Sequence, residues 1–351
     1  MSPPRTHKLL FWLTLAAYST FFAEVFAGSD MFPFFHTWGI FVVVPLYGLH
    51  VLVLLTLIYR FGGRPRLSSL IFAGLLLGLY EAYMTKMLWQ PDWGAIITLG
   101  NVAVVEISVL VFWWHTWLSF ITPVALAEGL LTESRDVLTA FPLRLRRFYG
   151  SSKGWLAIAL FGAVFQSINS PDPGISLLSG LGTVSVLTLL TALWMRVTHG
   201  TRYTLKDLLP EKQGLAIMAL WLGGLYIFLG FGIYPERIPA FWPGQAIILG
   251  FYALVIALLA RSLRISRGMP TPKVERLPSF PTPKALLGIG AVFVPALPLA
   301  KWLLGNSVVM LVTIGWLLGG LFGVTSAVWA VRKVSWKQGE DAPAIAQRGE
   351  A

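Results

Sequence analysis

The sequence predicts an all-α fold, a polytopic bundle of about ten transmembrane helices with both chain ends on the inner side of the membrane. Composition is the first observation: 56% of the 351 residues are hydrophobic and 12% are charged, whereas a soluble domain carries about 25% charged residues. This balance excludes a soluble globular protein, a disordered chain and a collagen-like chain. The absence of cysteine excludes disulfides, thiol catalysis, iron–sulfur clusters and cysteine zinc sites.

Apolar segments are the second observation, since a bilayer core about 30 Å thick requires roughly 20 apolar residues per helix. Ten stretches meet this requirement, near residues 9–27, 38–59, 67–88, 102–130, 155–170, 176–196, 214–233, 244–263, 286–304 and 307–330. The fourth contains Pro123, which predicts a kink or an interfacial continuation. The first also resembles a signal peptide with a cleavage site at 25–27, but its length and the adjacent Glu24 favour a membrane span.

The basic residues are the third observation, and they predict the orientation. With the N-terminus inside, all but three of the 27 Lys and Arg residues fall on the inner side, the exceptions being Lys86, Arg237 and Lys301. This is the positive-inside pattern, and it predicts a multi-pass protein of a prokaryotic cytoplasmic membrane. The net charge of +11 therefore indicates topology and not a nucleic-acid partner. The expected partners are the bilayer and anionic lipid headgroups at the basic loops, and no protein partner is identified.

Four units are predicted along the chain. Residues 1–131 form an N-terminal unit of four segments with an intramembrane polar site, and 132–153 form a basic cytoplasmic loop with interfacial character. Residues 154–330 form a bundle of six segments, and 331–351 form a cytoplasmic tail that is expected to be disordered. A second basic loop, 264–285, contains five prolines and predicts an extended linker.

Ionisable side chains within the membrane are concentrated in the first four segments. An acid at a helix centre costs about 2.5–3.5 kcal/mol on insertion scales, so each one requires a reason. The intramembrane acids and histidines are Glu24, His50, Glu81, Glu106 and His115. The last six segments contain no Asp, Glu or His at depth, and Glu128, at the inner end of the fourth segment, is expected to be a solvated helix end. A functional site within the membrane is therefore expected among the first four helices.

Helical spacing predicts which of these groups meet. Glu106 precedes His115 by nine residues and would face the opposite side of an ideal helix. The preferred pair is Glu81 with His115, joined by Glu24 if the first helix packs against the third. A structural interpretation, in which each group is hydrogen-bonded separately within the bundle, stands beside a functional one, in which they form a proton-linked, metal or general-base site.

Three blocks of the sequence carry a resemblance. They are FFAEVFAGSD (21–30), YEAYMTKMLWQPDW (80–93) and HTWLSFITPVALAEGLL (115–131). These blocks resemble the signature blocks of an uncharacterised family of prokaryotic multi-pass membrane proteins. In that family the middle block typically reads EExxxTK before an aromatic residue and a Pro–Trp loop, and the last reads FHxxxS…P…E. The match covers residues 9–131.

That pattern is in turn distantly similar to intramembrane metalloproteases of the CAAX prenyl protease and bacteriocin-processing type, which use EExxxR, FxxxH and HxxxN-type motifs. The resemblance implies that Glu81 activates water and that His115 helps to hold a metal or an oxyanion, with Lys86 at the basic position. This chain departs from the pattern, because Ala82 replaces the second Glu and Phe112 lies three residues before the histidine.

The third motif is represented only by the polar residues of FQSIN (165–169), which are weak metal ligands. The ligand set for a divalent metal is therefore incomplete, and the cofactor is left unidentified.

Three functions are compatible with the sequence, and whether the protein is an enzyme is left open. The first is a degenerate CAAX-protease-like intramembrane hydrolase, or a relative that binds a lipid or membrane peptide. The second is a small-solute or proton-coupled transporter, since ten helices divide into a 5+5 inverted repeat. The third is a non-catalytic scaffold subunit, which suits the row Gly315, Gly319 and Gly323. The candidate catalytic residues are Glu81 and His115, and the candidate supporting residues are Glu24, His50, Lys86 and Glu106.

Overall fold

The computed structural model describes residues 3–91, 94–199, 201, 203–268 and 278–335. Within these ranges the chain forms ten long helices, one for each of the ten predicted segments. Helix α1 covers residues 5–25, and the others are α2 (Gly39–Gly62), α3 (Leu67–Tyr83), α4 (Val104–Leu131), α5 (Ser152–Asn169), α6 (Pro173–Thr198), α7 (Lys212–Gly232), α8 (Trp242–Arg267), α9 (Pro283–Leu304) and α10 (Ser307–Ser335). The predicted all-α membrane bundle is confirmed.

Seven of these helices, α2, α4 and α6 to α10, are long and apolar enough to cross a membrane by length and composition. Helix α3 is apolar but shorter. The number of membrane crossings and the inside location of both chain ends stay predictions.

Short elements connect the long helices. The basic loop after α4 contains two short helices, Asp136–Ala140 and Leu143–Tyr149. Before α4, the strands β1 (Thr98–Leu99) and β2 (Val102–Ala103) pair antiparallel. The two residues between these strands have positive φ angles of 57° and 66°, as in the tight turns of two-residue hairpins. This hairpin was not predicted from the sequence, and it leads the chain into α4.

Helices α3 and α4 lie at the centre of the bundle, where α4 packs along α3 and α10, and α3 also packs along α8. Two glycines of α3 make this packing close. A Cβ at Gly74 would lie 2.6 Å from Cα of Thr116, and a Cβ at Gly78 would lie 2.8 Å from Cα of Val111. Because glycine has no Cβ, the backbones of α3 and α4 can pack more closely at these two positions than any other residue would allow.

Helix α4 is unusual, since Ile107–Ile121 is a π-helix with i→i+5 hydrogen bonds. Shorter π-helical turns end α1 at Phe21–Val25 and begin α2 at Gly39–Val43. The sequence predicts a kink or an interfacial continuation at Pro123, and in the structure the helix continues to Leu131. Helix α4 continues through this residue because Pro123 lies in the first turn of the α-helical part, where the missing N–H is tolerated.

Two predicted helix ends and the predicted exposure of Glu128 differ from the structure. Helix α3 ends at Tyr83 and not near residue 88, because the chain turns sharply at Lys86, which has a φ of 66°. Helix α10 continues to Ser335, so the first five residues of the predicted tail are helical; residues 336–351 lie outside the described ranges, as does 269–277 of the proline-rich loop. Glu128 is fully buried and not solvated.

The burial of Glu128 has a clear reason. Its carboxylate accepts hydrogen bonds from the backbone N–H groups of Val137, at 2.9 and 3.1 Å, and of Leu138, at 3.2 Å. These N–H groups belong to the first turn of the helix Asp136–Ala140, which has no other partner for them within the helix. Glu128 therefore fixes the start of the basic loop against the end of α4.

Candidate functional site

Glu81 and His115 form a buried pair at the centre of the bundle. Nε2 of His115 lies 2.6 Å from Oε1 of Glu81, and both side chains are at most 8% exposed. The hydroxyl of Thr85 donates to the other carboxylate oxygen of Glu81. Because a carboxylate can only accept, Nε2 of His115 is the donor in the pair, and this leaves Nδ1 of the ring for a second partner.

The second partner of His115 is Ser119, whose Oγ lies 3.1 Å from Nδ1. The same hydroxyl lies 3.5 Å from the carbonyl oxygen of Trp114. With the hydrogen of the neutral ring on Nε2, Nδ1 accepts from the hydroxyl of Ser119. Ser119 therefore fixes the ring of His115 from the side opposite Glu81.

The packing of α3 on α4 positions the pair. Gly78 lies one turn before Glu81, and a Cβ there would be 3.1 Å from Cβ of His115. Helix α1 holds α4 from the other side, since Ser19 donates to the carbonyl of Ser119 at 2.6 Å and the indole of Trp114 donates to the carbonyl of Ala23 at 3.0 Å. The irregular hydrogen bonding of α4 occurs at the segment that bears His115, as π-helical turns often do at functional sites.

A second polar chain carries Glu24. The hydroxyl of Tyr47 donates to Oε1 of Glu24 at 2.6 Å, and Ser29 donates to the other oxygen. The hydroxyl of Tyr80 lies 2.5 Å from that of Tyr47. Since Tyr47 donates its hydrogen to the carboxylate, Tyr80 is the donor to Tyr47. This chain joins α1, α2 and α3.

The hydrogen-bonded groups around Glu81 and those around Glu24 meet at one cavity of about 500 Å³, which we call the polar cavity. Its polar lining residues are Glu24, Ser29, Tyr47, Tyr80, Glu81, Thr85, His115, Asn169 and Thr313. The rings of Tyr47 and Tyr80 lie 6.2 and 5.0 Å from the ring of His115. Its apolar wall comes from α4, α5 and α10, mainly Leu110, Trp114, Phe165, Ile168, Val312 and Trp316. Glu24, Glu81 and His115 thus converge, as the preferred arrangement required.

The ionisable lining of the polar cavity is mainly acidic. Two carboxylates and one imidazole line it, and none of the lining residues is Lys or Arg. Among the residues that the structure describes, no group of three or more His, Cys, Asp or Glu side chains could hold a metal ion. The cavity suits a ligand with an apolar part against the aromatic wall and a neutral or cationic polar group at the carboxylates.

The other candidate residues lie outside the polar cavity lining. Nδ1 of His50 donates to the carbonyl of Leu46 at 2.8 Å, and its Nε2 accepts from Tyr226 at 3.2 Å, so its imidazole links α2 to α7. Glu106 is buried at the start of α4 but is not among the lining residues.

Lys86 is buried and turned away from Glu81. Its ammonium donates to the main-chain carbonyls of Met84, at 3.2 Å, and of Leu229 and Ile233. Carbonyls at the C-terminal end of a helix lack partners within the helix, and Lys86 supplies one to α7. In the structure this lysine joins the end of α3 to the end of α7.

Several groups of the polar cavity were not predicted from the sequence as site residues. Tyr47 and Tyr80 are the clearest, because they connect Glu24 to the surroundings of His115. A signal for Tyr47 exists, since it precedes His50 by three residues and so lies near the same face of α2. Asn169 was recognised only as a weak ligand, and it lines the cavity while donating to the carbonyl of Ala27 at 2.7 Å.

The glycine row of α10 packs within the chain. A Cβ at Gly319 would lie 2.2 Å from the ring of Trp113, and one at Gly323 would lie 2.6 Å from the backbone of Phe112. Both contacts are with α4. The row therefore serves the packing of α10 against the helix that carries His115.

Comparisons with known proteins agree with a membrane protein. The model of a family described as an uncharacterized membrane protein family matches residues 13–338. A protein of Archaeoglobus fulgidus described as an uncharacterized protein is 34% identical over 257 residues, which are 72% of this chain and 77% of that protein. No solved structure matches the chain.

Proposed function

The chain belongs to this uncharacterized membrane protein family, and we propose that it is an intramembrane hydrolase in which Glu81 and His115 activate water against a carbonyl group of a lipid or membrane peptide. The observation that carries the proposal is the 2.6 Å contact between the two side chains at the polar cavity. A general base and the group that orients it act within hydrogen-bond reach, about 2.6–3.2 Å, and this contact meets that requirement.

In the proposed reaction, Glu81 moves a proton from water to the leaving group. A carboxylate oxygen of Glu81 takes a proton from water as the water oxygen attacks the carbonyl carbon, and the Nε2–H of His115 orients this carboxylate. Glu81 holds this proton, while the hydroxyl of Ser119 at Nδ1 keeps the ring of His115 in place. The proton then passes to the leaving alcohol or amine.

Asn169 is the proposed donor to the oxyanion. One hydrogen of its amide nitrogen binds the carbonyl of Ala27, and the second is available to the cavity that Asn169 lines. A preorganised donor of this kind stabilises the charge that develops on a carbonyl oxygen. The aromatic wall would hold the hydrocarbon part of the substrate.

The location that we propose is the cytoplasmic membrane of a prokaryote, because of the positive-inside distribution of Lys and Arg. In this orientation the outer halves of α1 and α3 carry Glu24 and Glu81. The polar cavity would then lie in the outer half of the bilayer.

The test uses full-length protein in detergent micelles and two fluorogenic probes: an internally quenched peptide with a C-terminal farnesyl thioether, and an internally quenched apolar peptide. We expect the wild type to cleave one of them and Glu81→Gln to lose about 10²–10⁴-fold in rate. Glutamine keeps an oxygen for His115, so the fold is retained. The exposed Glu133→Gln is the matched control and keeps the wild-type rate. Equal rates for Glu81→Gln and the wild type, or no cleavage of either probe, would contradict the proposal.

A proton-coupled transporter is the second candidate, and the convergence of two carboxylates and an imidazole on one cavity favours it. It predicts uptake of protons into proteoliposomes on addition of a solute, measured with an enclosed pH-sensitive dye. Such flux with no hydrolysis of either probe would replace the first proposal by the second.

A further inference from the structure

A second cavity of about 340 Å³ lies between α1, α4, α5, α6 and α9, and we call it the apolar crevice. Phe22 of α1 and Phe26, directly after this helix, line it, whereas the neighbouring Glu24 faces the polar cavity. None of its described lining residues is acidic. Two of its hydroxyls pair with each other, since those of Tyr18 and Thr191 are 2.6 Å apart. The wall therefore offers little but hydrocarbon.

The apolar crevice is closed at one end and carries a cation at the other. The rings of Phe26 and Phe293 stack at 5.5 Å, and Phe21 lies 5.6 Å from Phe293, which closes the deep end. Lys284, in the first turn of α9, is exposed at the other end. From Lys284 to Phe293 is nine residues of one helix, or about 13 Å at the helical rise.

We infer that the apolar crevice binds one hydrocarbon chain of an anionic phospholipid, with the phosphate of the headgroup at Lys284. An apolar slot between membrane helices loses dispersion contacts along its walls unless a chain fills it. A cation at the mouth selects for negative charge, and basic pockets between transmembrane helices bind anionic headgroups in this way. The inference does not depend on hydrolysis, because the two cavities have no lining residue in common.

The experiment is photo-crosslinking of the full-length protein in nanodiscs. The probes are phosphatidylglycerol and phosphatidylcholine, each with a diazirine near the end of one acyl chain, and labelled peptides are identified by mass spectrometry. In the wild type we expect phosphatidylglycerol to label the lining of α6 and α9 about fivefold more than phosphatidylcholine does, which is the effect of one basic residue at a membrane surface.

Two matched pairs of variants test the two parts of the site. Lys284→Glu should remove the preference for phosphatidylglycerol, while Lys333→Glu, the same charge change at the exposed end of α10, should keep it. Thr188→Trp should fill the crevice and lower labelling by both lipids. Leu189→Trp, on the neighbouring exposed residue outside the lining, should not.

The assignment of the headgroup and the assignment of the acyl chain can be overturned separately. Equal labelling of the wild type by the two lipids, or a preference that survives Lys284→Glu, would overturn the assignment of the headgroup. Unchanged labelling in Thr188→Trp would overturn the assignment of the crevice as the chain site.

Discussion

The first four helices and the last five form two different environments. In α2 and α4, 67% of the positions in the apolar core of each helix are buried within the protein, whereas in α6 to α10 the share is 11–28%. The inner helices carry the carboxylates and the imidazole of the polar cavity, and the outer helices expose large apolar side chains such as Leu220, Phe231 and Leu321. The inner helices are therefore largely enclosed by protein, and the outer helices are not.

The difference explains where charge can be placed in this membrane protein. An ionised group facing lipid is costly, and the cost falls when the group faces the bundle interior and is paired. Glu24 and Glu81 each accept two hydrogen bonds from neighbouring side chains. The inner helices therefore combine an acidic site with the hydrogen bonds that make it tolerable, and the outer helices need only apolar surface.

Packing gives the largest expected difference in stability between the two environments. Gly74→Ala should destabilise the protein by about 1–3 kcal/mol, because its Cβ would meet the backbone of Thr116 on α4. Gly223→Ala, in the outer helix α7, meets no atom within 4 Å and should be neutral or slightly stabilising. Unfolding in mixed micelles measures both, and an equal loss in the two variants would contradict the distinction.

The hydrogen-bonded chain of the polar cavity gives an effect of intermediate size. Tyr47→Phe removes the donor to Glu24 and the acceptor for Tyr80, and should cost about 0.5–1.5 kcal/mol, the net contribution of a typical hydrogen bond. Tyr234→Phe is the control, because Tyr234 is exposed and its ring packing survives the change. The thermal midpoints of the two variants in the same detergent decide the matter. If the thermal midpoint of Tyr234→Phe falls as much as that of Tyr47→Phe, the hydrogen bonds of Tyr47 contribute no stability.

The smallest effect is expected where the two environments join at the membrane surface. Lys8 of α1 binds Glu211, which precedes α7, at 2.6 Å. This hydrogen bond lowers the pKa of Glu211 from its ordinary value of 4.5. A carboxyl whose pKa is lowered by folding stabilises the fold above its unfolded pKa, and the contribution is lost as the pH falls through the folded pKa.

Glu211→Gln should therefore lower the thermal midpoint slightly at pH 7, and the two proteins should become equal once the pH is well below the lowered pKa of Glu211. The effect is small because the side chain of Glu211 is 81% exposed. A difference between the two proteins that persists in acid would show that Glu211 acts through something other than its charge.

Sequence reasoning identified the helices and the principal pair. Apolar length located all ten segments, and the restriction of ionisable residues to four of them indicated the helices that contribute Glu24, Glu81 and His115 to the polar cavity. Helix spacing was less informative at α4, because Ile107–Ile121 is π-helical and does not turn by 100° per residue. Glu106 does lie outside the lining of the polar cavity, but the angle of 100° per residue that predicted this does not apply to the π-helical segment between Glu106 and His115.

Side-chain direction after a turn could not be predicted. Lys86 is adjacent to Thr85, a partner of Glu81, yet its positive φ sends the ammonium to α7. Tyr47 and Tyr80 were not predicted for a different reason: tyrosines near helix ends in a membrane protein are commonly interfacial. Only the packing of α1 on α2 shows that they connect Glu24 to the site.

The central claim is that Glu81 and His115 act as one unit, and a double-mutant cycle on the rate of probe cleavage tests it most directly. Residues that act jointly are strongly non-additive, so the loss in the double variant should be no larger than in Glu81→Gln or His115→Gln alone. If the two losses multiply in the double variant, the residues act independently, and the account in which His115 orients Glu81 through the 2.6 Å contact is contradicted.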